Sequence, residues 1–144
     1  MKNYLPDSTK PSLTRRRALE LLGAAGISLI MIGGILRQIS RSFVGPHAEQ
    51  ILRELHADRL FLAVDGFDLE NGASTPDILE AQLNGLMMEV ARETTIVADS
   101  SKLGRRSVSR IGSADRIHRL ITDTRAPKEF LAVLQARGVE VVTV

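Results

Sequence analysis

The chain has 144 residues, 44% hydrophobic and 25% charged, which fits one globular domain with its own hydrophobic core. It has no cysteine and three scattered histidines, which argues against thiolate or zinc sites. Only 3% of its residues are aromatic, which argues against stacking platforms for nucleic acid. We therefore expect neither a metal nor a cofactor. The formal net charge of +2 is uneven: residues 1–45 carry seven basic and two acidic groups, and residues 46–144 twelve basic and fifteen acidic ones. Such a basic head is compatible with nucleic-acid binding or export, although a solvated tail and one charged helix end explain it as well.

The first 37 residues allow two interpretations. Residues 1–17 are expected to be a disordered leader, residues 15–22 allow a short helix, and the apolar run ISLIMI (27–32) between glycines predicts a buried parallel strand. Three arginines before this run are also typical of a twin-arginine export signal or a membrane anchor. Two features oppose export: the 19 residues between Arg17 and Arg37 include Glu20 and four glycines, and no small-residue cleavage pattern follows them.

From residue 45 onward, predicted helices and strands alternate. The predicted helices cover residues 45–58, 77–93 and 127–138. The predicted strands cover residues 59–66, 94–101, 118–123 and 139–144. Loops are expected at residues 67–76 and, with a basic sequence, at 102–117. The pattern predicts an α/β fold, an open and mostly parallel Rossmann-like sheet with helices on both faces.

Several segments together carry a family resemblance. LIMIGGILR, SFVGPHAEQILREL, ADRLFLAVDGFDLENGASTPDILEAQLN, TTIVADSSKLGRRSVSRI and RIHRLITD occur in one order over most of the chain. In these segments the chain resembles the C-terminal sensor domain of DeoR/GlpR-family transcriptional regulators, and within that family the repressors of amino-sugar operons of the N-acetylgalactosamine type. The resemblance implies a cytoplasmic, homo-oligomeric regulator that senses a phosphorylated sugar, with residues 19–36 inside the domain rather than in an export signal.

Two parts of that family are not found in the sequence. These are the N-terminal winged helix-turn-helix and the first strand of the sensor domain with its D-x-G-T-T phosphate loop. We therefore expect a truncated regulator, in which residues 18–144 form an incomplete sensor domain. Such a chain is expected to bind its sugar phosphate weakly, to bind no DNA sequence-specifically by itself, and to have no membrane partner.

The resemblance also implies site residues. The fold is shared with sugar-phosphate isomerases, and VDGFDLENGASTPDILEA resembles the active-site segment of ribose-5-phosphate isomerase. Asp65 and Asp68 keep the acidic pair around Gly66, and Glu80 is a third carboxylate, whereas the glycine-rich lysine loop is replaced by GASTPD. Because proton transfer needs a base and an electrophile in one pocket, we predict a binding domain without catalytic residues. A small sugar-phosphate isomerase and an exported protein remain the alternatives.

Other candidate ligand contacts follow from the predicted sheet. Glycines 33 and 34 follow a predicted strand and permit close backbone approach to a ligand, or only a tight turn. Residues 99–102 end a strand at the expected carboxyl edge of the sheet, where open α/β sheets bind ligands, and Lys102 is the best single candidate for a phosphate. The predicted ligand-binding residues are Gly33, Gly34, Asp65, Gly66, Asp68, Glu80, Asp99, Ser100 and Lys102.

Overall fold

The computed structural model describes residue 26 and residues 28–144 of the chain. The chain divides into two compact units, Met1–Met31 and Ile32–Val144, and all helices and strands given below belong to the second. The leader predicted over residues 1–17 and the helix predicted at residues 15–22 lie outside the described residues. None of the helices described in the structure is long and apolar enough to cross a membrane.

Strands and helices alternate along most of the second unit. In chain order the elements are β1 (Ile35–Leu36), β2 (Phe43–Val44), α1 (Pro46–Arg53), β3 (Ala57–Ala63), β4 (Gly66–Asp68), β5 (Gly72–Thr75), α2 (Ile78–Val90), β6 (Ala91–Val97), β7 (Ser109–Gly112), β8 (Arg119–Thr122), α3 (Lys128–Ala136) and β9 (Glu140–Thr143). Single turns of 3-10 helix lie at Ser100–Lys102 and Ala114–Arg116.

The central sheet has four parallel strands in the order β3-β6-β8-β9. Leu62, Ile96 and Leu120 are in register on its three neighbouring strands β3, β6 and β8 and are buried, because alternate residues of a strand point to the same face. In the described residues, the opposite face is more open, with Phe61 60% and Val97 41% exposed. The predicted α/β class, with a parallel sheet flanked by helices, is confirmed.

Local sequence explains where the helices begin and end. The side chain of Asp77 accepts a hydrogen bond from the Glu80 N–H and so caps the first turn of α2. Pro46 lies in the first turn of α1, where its missing N–H is not needed. Gly138 follows α3 with a φ of +84°, a left-handed conformation that ends many helices.

The strand predicted at residues 27–32 is wrong for the residues that the structure describes. Residues 28–34 form no regular element, and Leu29, Ile30 and Met31 are 53%, 70% and 51% exposed. Gly34, with a φ of +110°, interrupts an extended course just before β1, which pairs antiparallel with β2. An apolar composition alone is therefore not sufficient to place this segment in the sheet.

The two predicted loops are also partly wrong, because they contain a second sheet. Strands β4, β5 and β7 pair antiparallel in the order β4-β5-β7. Phe67 and Ala73 point from this sheet into the core and are fully buried. The glycines that suggested a loop instead permit tight pairing: at Gly72, with a φ of +81°, an added Cβ would overlap the carbonyl oxygen of Gly112.

Helix α2 is shared by two hydrophobic clusters. Ala81 and Met88 pack in the main core, which contains residues of the parallel sheet, of β4, β5 and β7, and of α3. Leu83 and Leu86 pack with residues of β2 and α1 in a second cluster. The position of α2 is therefore fixed from two sides, and its first turn lies near the ends of β5 and of the β1–β2 hairpin.

Candidate functional site

Three aspartates follow three neighbouring strands of the parallel sheet at the same spacing. Ala63, Val97 and Ile121 pair with one another across β3, β6 and the end of β8. Asp65, Asp99 and Asp123 each follow two residues later, and the Ala98 N–H still donates to the Ile121 carbonyl at 3.1 Å. The structure therefore places all three carboxylates at the carboxyl edge of the sheet, where open α/β sheets bind ligands.

Asp65 is exposed but held in place. Its N–H donates to the Ser74 carbonyl at 3.1 Å, and its Oδ2 accepts a hydrogen bond from the Thr75 hydroxyl at 2.9 Å. The next residue, Gly66, is buried, and an added Cβ there would lie 2.6 Å from the carbonyl oxygen of Arg105. Gly66 is thus explained by the close passage of residues 103–107 alongside β4.

Glu80 is the centre of a polar cluster at the start of α2, which we call the Glu80 network: Arg37, Ser42, Thr75, Asp77 and Glu80. The Oε1 atom of Glu80 lies 2.6 Å from the Arg37 guanidinium and accepts from the Ser42 hydroxyl at 2.8 Å. Arg37 also lies 3.1 Å from Asp77. The Thr75 hydroxyl lies 2.9 Å from Asp65 and 3.4 Å from Glu80, so the structure brings these two predicted site residues to one shared partner.

The environment of Glu80 keeps it ionised. Its side chain is only 13% exposed, and this burial raises the pKa of the carboxyl group. Hydrogen bonds from Ser40 and Ser42, together with the positive charge of Arg37, outweigh the burial and lower the pKa below its ordinary value. The Glu80 network is therefore a charged clamp that joins the β1–β2 hairpin to α2.

The second group of predicted residues forms a turn after β6, which we call the Lys102 turn: residues 99–102. The side chain of Asp99 accepts from the Ser101 N–H at 2.9 Å, and the Lys102 N–H donates to the Asp99 carbonyl at 3.0 Å. The Ser100 N–H donates to Asp123 at 2.8 Å, which ties the turn to the end of β8.

The Lys102 turn carries one cation, Lys102, whose charge acts on the neighbouring Asp99. Hydrogen bonds from Ser101 lower the pKa of Asp99, and the Ser100 N–H, helped by Arg125, lowers the pKa of Asp123. Arg125 lies 3.1 Å from Asp123. The half-buried Lys102, by contrast, has no ion pair to any residue that the structure describes. Its ammonium group is therefore free to meet an anion at this edge.

Asp68 does not join Asp65. Its Oδ1 accepts hydrogen bonds from the N–H groups of Glu70 and Asn71 at 3.0 and 2.9 Å and lies 3.0 Å from Arg106. Burial raises the pKa of Asp68, but these hydrogen bonds and Arg106 outweigh it and lower the pKa to about 2. Asp68 therefore stabilises the turn between β4 and β5, and the acidic pair expected from the sequence is divided between two sets of partners.

The glycine pair before β1 has a packing explanation. At Gly34 an added Cβ would lie 2.8 Å from the carbonyl oxygen of Val44 and 3.0 Å from the Cβ of Ala48. Gly33 also has a positive φ, of +66°. The close backbone approach predicted for these glycines is thus made by the protein itself, at the start of α1.

Sequence reasoning missed five residues of these clusters: Arg37, Ser42, Thr75, Asp77 and Asp123. Asp123 could have been found, since AVD, VAD and ITD end three successive predicted strands of the sheet with an aspartate. The sequence TPDILE could have indicated Asp77, because an aspartate followed three residues later by a glutamate is a helix-start signal. Arg37 and Ser42 carry no such signal, since their partner Glu80 is about 40 residues away.

No group of three or more metal-ligating side chains within residues 28–144 is placed to hold a metal ion.

Comparison with known proteins agrees with this architecture. The family profile described as the DeoR C terminal sensor domain matches residues 15–124. The chain is 48% identical over 124 residues to an Escherichia coli O157:H7 protein named as an aga operon transcriptional repressor, a match that covers 86% of this chain and 46% of that protein.

Two further relatives are each 38% identical. One is the HTH-type transcriptional regulator YulB of Bacillus subtilis (strain 168), matched over 100% of this chain and 57% of its own length. The other is the HTH-type transcriptional regulator GlpR of Haloferax volcanii, matched over 78% of this chain and 44% of its own. The chain thus spans about half the length of these curated relatives. Because all three are named as transcriptional regulators, they support a binding domain rather than an enzyme.

Proposed function

Because the chain belongs to the DeoR family of C-terminal sensor domains, we propose that it is the effector-binding and oligomerisation domain of a repressor of carbohydrate catabolism. The proposed effector is a phosphorylated amino sugar. The sequence resemblance to amino-sugar operon repressors supports this choice, as does the relative that is named as an aga operon repressor. We place this domain in the cytoplasm, where a regulator of transcription acts on DNA.

The observation that carries the proposal is the free cation at the carboxyl edge of the sheet. Lys102 is half-buried, has no ion pair among the described residues, and lies in a turn whose two neighbouring aspartates are ionised. An ammonium group binds a phosphate as a point charge. The edge therefore combines one cationic position with several hydrogen-bond acceptors, which suits a phosphorylated sugar.

The remaining predicted residues receive distinct roles. Asp65 and Asp99 are the proposed acceptors for sugar hydroxyl or ammonium groups, because both are exposed at the edge. Glu80 lies 3.4 Å from the Thr75 hydroxyl, whose single proton is donated to Asp65 at 2.9 Å, and is proposed to influence Asp65 by competing for that proton. Ser100 is proposed to hold the Lys102 turn against Asp123, whereas Gly33, Gly34, Gly66 and Asp68 shape the surrounding backbone.

The test is a ligand titration followed by NMR, which measures both micromolar and millimolar dissociation constants. Hexosamine 6-phosphates are titrated into the wild-type chain and into the Lys102→Ala variant. Loss of one charge-assisted hydrogen bond, about 1.5–3 kcal/mol, corresponds to a dissociation constant raised roughly 10- to 150-fold. The unphosphorylated hexosamine serves as the ligand control and is expected to bind both chains equally.

Arg105→Ala is the matched protein control. Arg105 is a neighbouring cation that is also unpaired among the described residues but is exposed. We expect its loss to change the dissociation constant less than twofold. Equal effects of the two substitutions would mean that only general positive charge is sensed. Binding that survives Lys102→Ala unchanged would place the phosphate elsewhere and refute the proposed site.

A further inference from the structure

A groove on the other side of α2 contains exposed apolar side chains and unpaired charges. It has a volume of about 740 Å³, with α1 as one wall, β7 as the other and α2 as the floor. Gly85 of α2 permits this arrangement, since an added Cβ would lie 2.9 Å from the carbonyl oxygen of Ile111 in β7. The groove is distinct from the Lys102 turn, none of whose residues line it.

The apolar residues of this groove stand out of the surface instead of enclosing a cavity. Ile78, at the start of α2, is 65% exposed, Leu79 beside it is 37% exposed, and Val108, just before β7, is 89% exposed. Pockets for small molecules bury most of the ligand between such side chains. Protruding apolar residues instead favour a macromolecular surface that covers them.

The charges along the groove are balanced and unpaired. Glu49 and Arg53 lie one turn apart on α1, while Glu89 of α2 and Arg110 of β7 lie across the groove. None of these four side chains forms an ion pair with another residue in the described part of the chain. Among the described residues these four charges therefore lack ion-pair partners, and they sum to zero.

We infer that this groove is the surface through which two copies of the chain associate. In a two-fold interface the same patch meets itself, so a patch that carries charge must carry both signs in order not to repel its copy. The two acidic and two basic rim residues meet that requirement, and a two-fold axis through the floor exchanges the two walls. The association covers Ile78 and Val108 and gives the four rim charges partners. This inference deepens the oligomerisation part of the proposed function and is independent of the ligand.

Charge reversal tests the inference without requiring the individual pairs to be known. The variant Arg53→Glu/Arg110→Glu has four acidic rim residues, and Glu49→Arg/Glu89→Arg has four basic ones. Each variant alone repels its own copy, so sedimentation velocity should show a dimer dissociation constant at least tenfold higher than that of the wild type. An equimolar mixture of the two should form heterodimers of wild-type affinity, which unfolded chains cannot do. A matched control, Arg92→Glu/Arg105→Glu, changes the net charge equally outside the groove and should dimerise normally.

Several results would overturn the inference. A wild-type chain that stays monomeric at high concentration refutes both the groove and the oligomerisation part of the proposed function. Rim variants that associate like the wild type, or a mixture that stays monomeric, refute the groove alone. If Phe61→Asp dissociates the dimer and the rim variants do not, the exposed face of the parallel sheet is the interface instead.

Discussion

Replacing Glu80 by glutamine tests how much the Glu80 network contributes to stability. The substitution keeps the shape of the side chain and removes its charge, so Arg37 keeps Asp77 as its one acidic partner among the described residues. The Arg37 and Glu80 side chains are 24% and 13% exposed, so solvent screens their attraction only in part. Loss of a hydrogen bond between charged groups in such a setting costs about 1.5–3 kcal/mol of unfolding free energy.

The chain contains a matched control for this argument. Arg106 and Glu70 lie 2.6 Å apart, the same distance as Arg37 and Glu80, but their side chains are 54% and 80% exposed. An exposed pair contributes about 0–1 kcal/mol, so Glu70→Gln should lower the unfolding free energy by less than Glu80→Gln does. The two variants therefore separate the effect of burial from that of distance.

Urea denaturation measures the unfolding free energy of both variants. The dependence of that free energy on urea concentration must be the same for both, so that a shift of the midpoint reports a change in stability. The pKa of Glu80 is lowered in the folded state, so its contribution is complete above its ordinary pKa of 4.5 and is lost as the pH falls through the folded value. The difference between wild type and Glu80→Gln should therefore be largest near neutral pH and shrink in acid. Equal destabilisation by Glu80→Gln and Glu70→Gln, or a difference that grows in acid, would refute the reasoning.

Four further substitutions test other parts of the fold. The pKa of Asp68 falls from 3.8 to about 2 on folding, so its contribution to the unfolding free energy is lost as the pH drops through that range. In an acid titration, the Asp68→Asn variant should therefore lose less stability over this range than the wild type does. Gly72→Ala should lower the unfolding free energy by more than about 3 kcal/mol, since the added Cβ overlaps Gly112. Gly104 also has a positive φ but has open space around it, so Gly104→Ala should lower the unfolding free energy by only about 1–2 kcal/mol. Thermal melts of the two variants measure the difference. Leu134→Ala empties a fully buried position of α3 and should cost about 2–5 kcal/mol by urea denaturation; a smaller loss would mean that the core collapses around the gap.

Periodicity was sufficient to predict the parallel sheet and its helices. Strands β3, β6, β8 and β9 are short apolar runs that alternate with helices of 3–4 residue spacing, and each signal lies within one element. The antiparallel sheet of β4, β5 and β7 was missed because it is built from glycine-rich segments whose pairing is decided by neighbours up to 40 residues away. Phe67 and Ala73 are buried by that pairing, which composition does not encode.

The candidate site was predictable to the same extent. Edge residues such as Asp99 and Lys102 follow from the strand ends alone, because parallel strands deliver their carboxyl ends to one edge. The hydrogen-bond partners of Asp68 could not be predicted, since the N–H groups of residues 70 and 71 belong to a turn inside a hairpin that was not predicted. Arg37 was not identified because a long-range ion pair leaves no local pattern.

Helix α2 connects the two proposals physically. Its first turn carries Glu80, which lies 3.4 Å from the Thr75 hydroxyl that donates to Asp65 at the sheet edge, and the exposed residues directly before it, Ile78 and Leu79, line the groove. A ligand that moves Asp65 therefore acts on the same helical turn that a second copy would cover. If the effector binds the dimer more tightly than the monomer by some factor, linkage requires that it strengthen dimerisation correspondingly. Sensing would then need no separate transmission path, because one helix end would take part both in effector binding and in dimerisation. The Glu80→Gln variant, which leaves the groove residues unchanged, should weaken the coupling between these two equilibria.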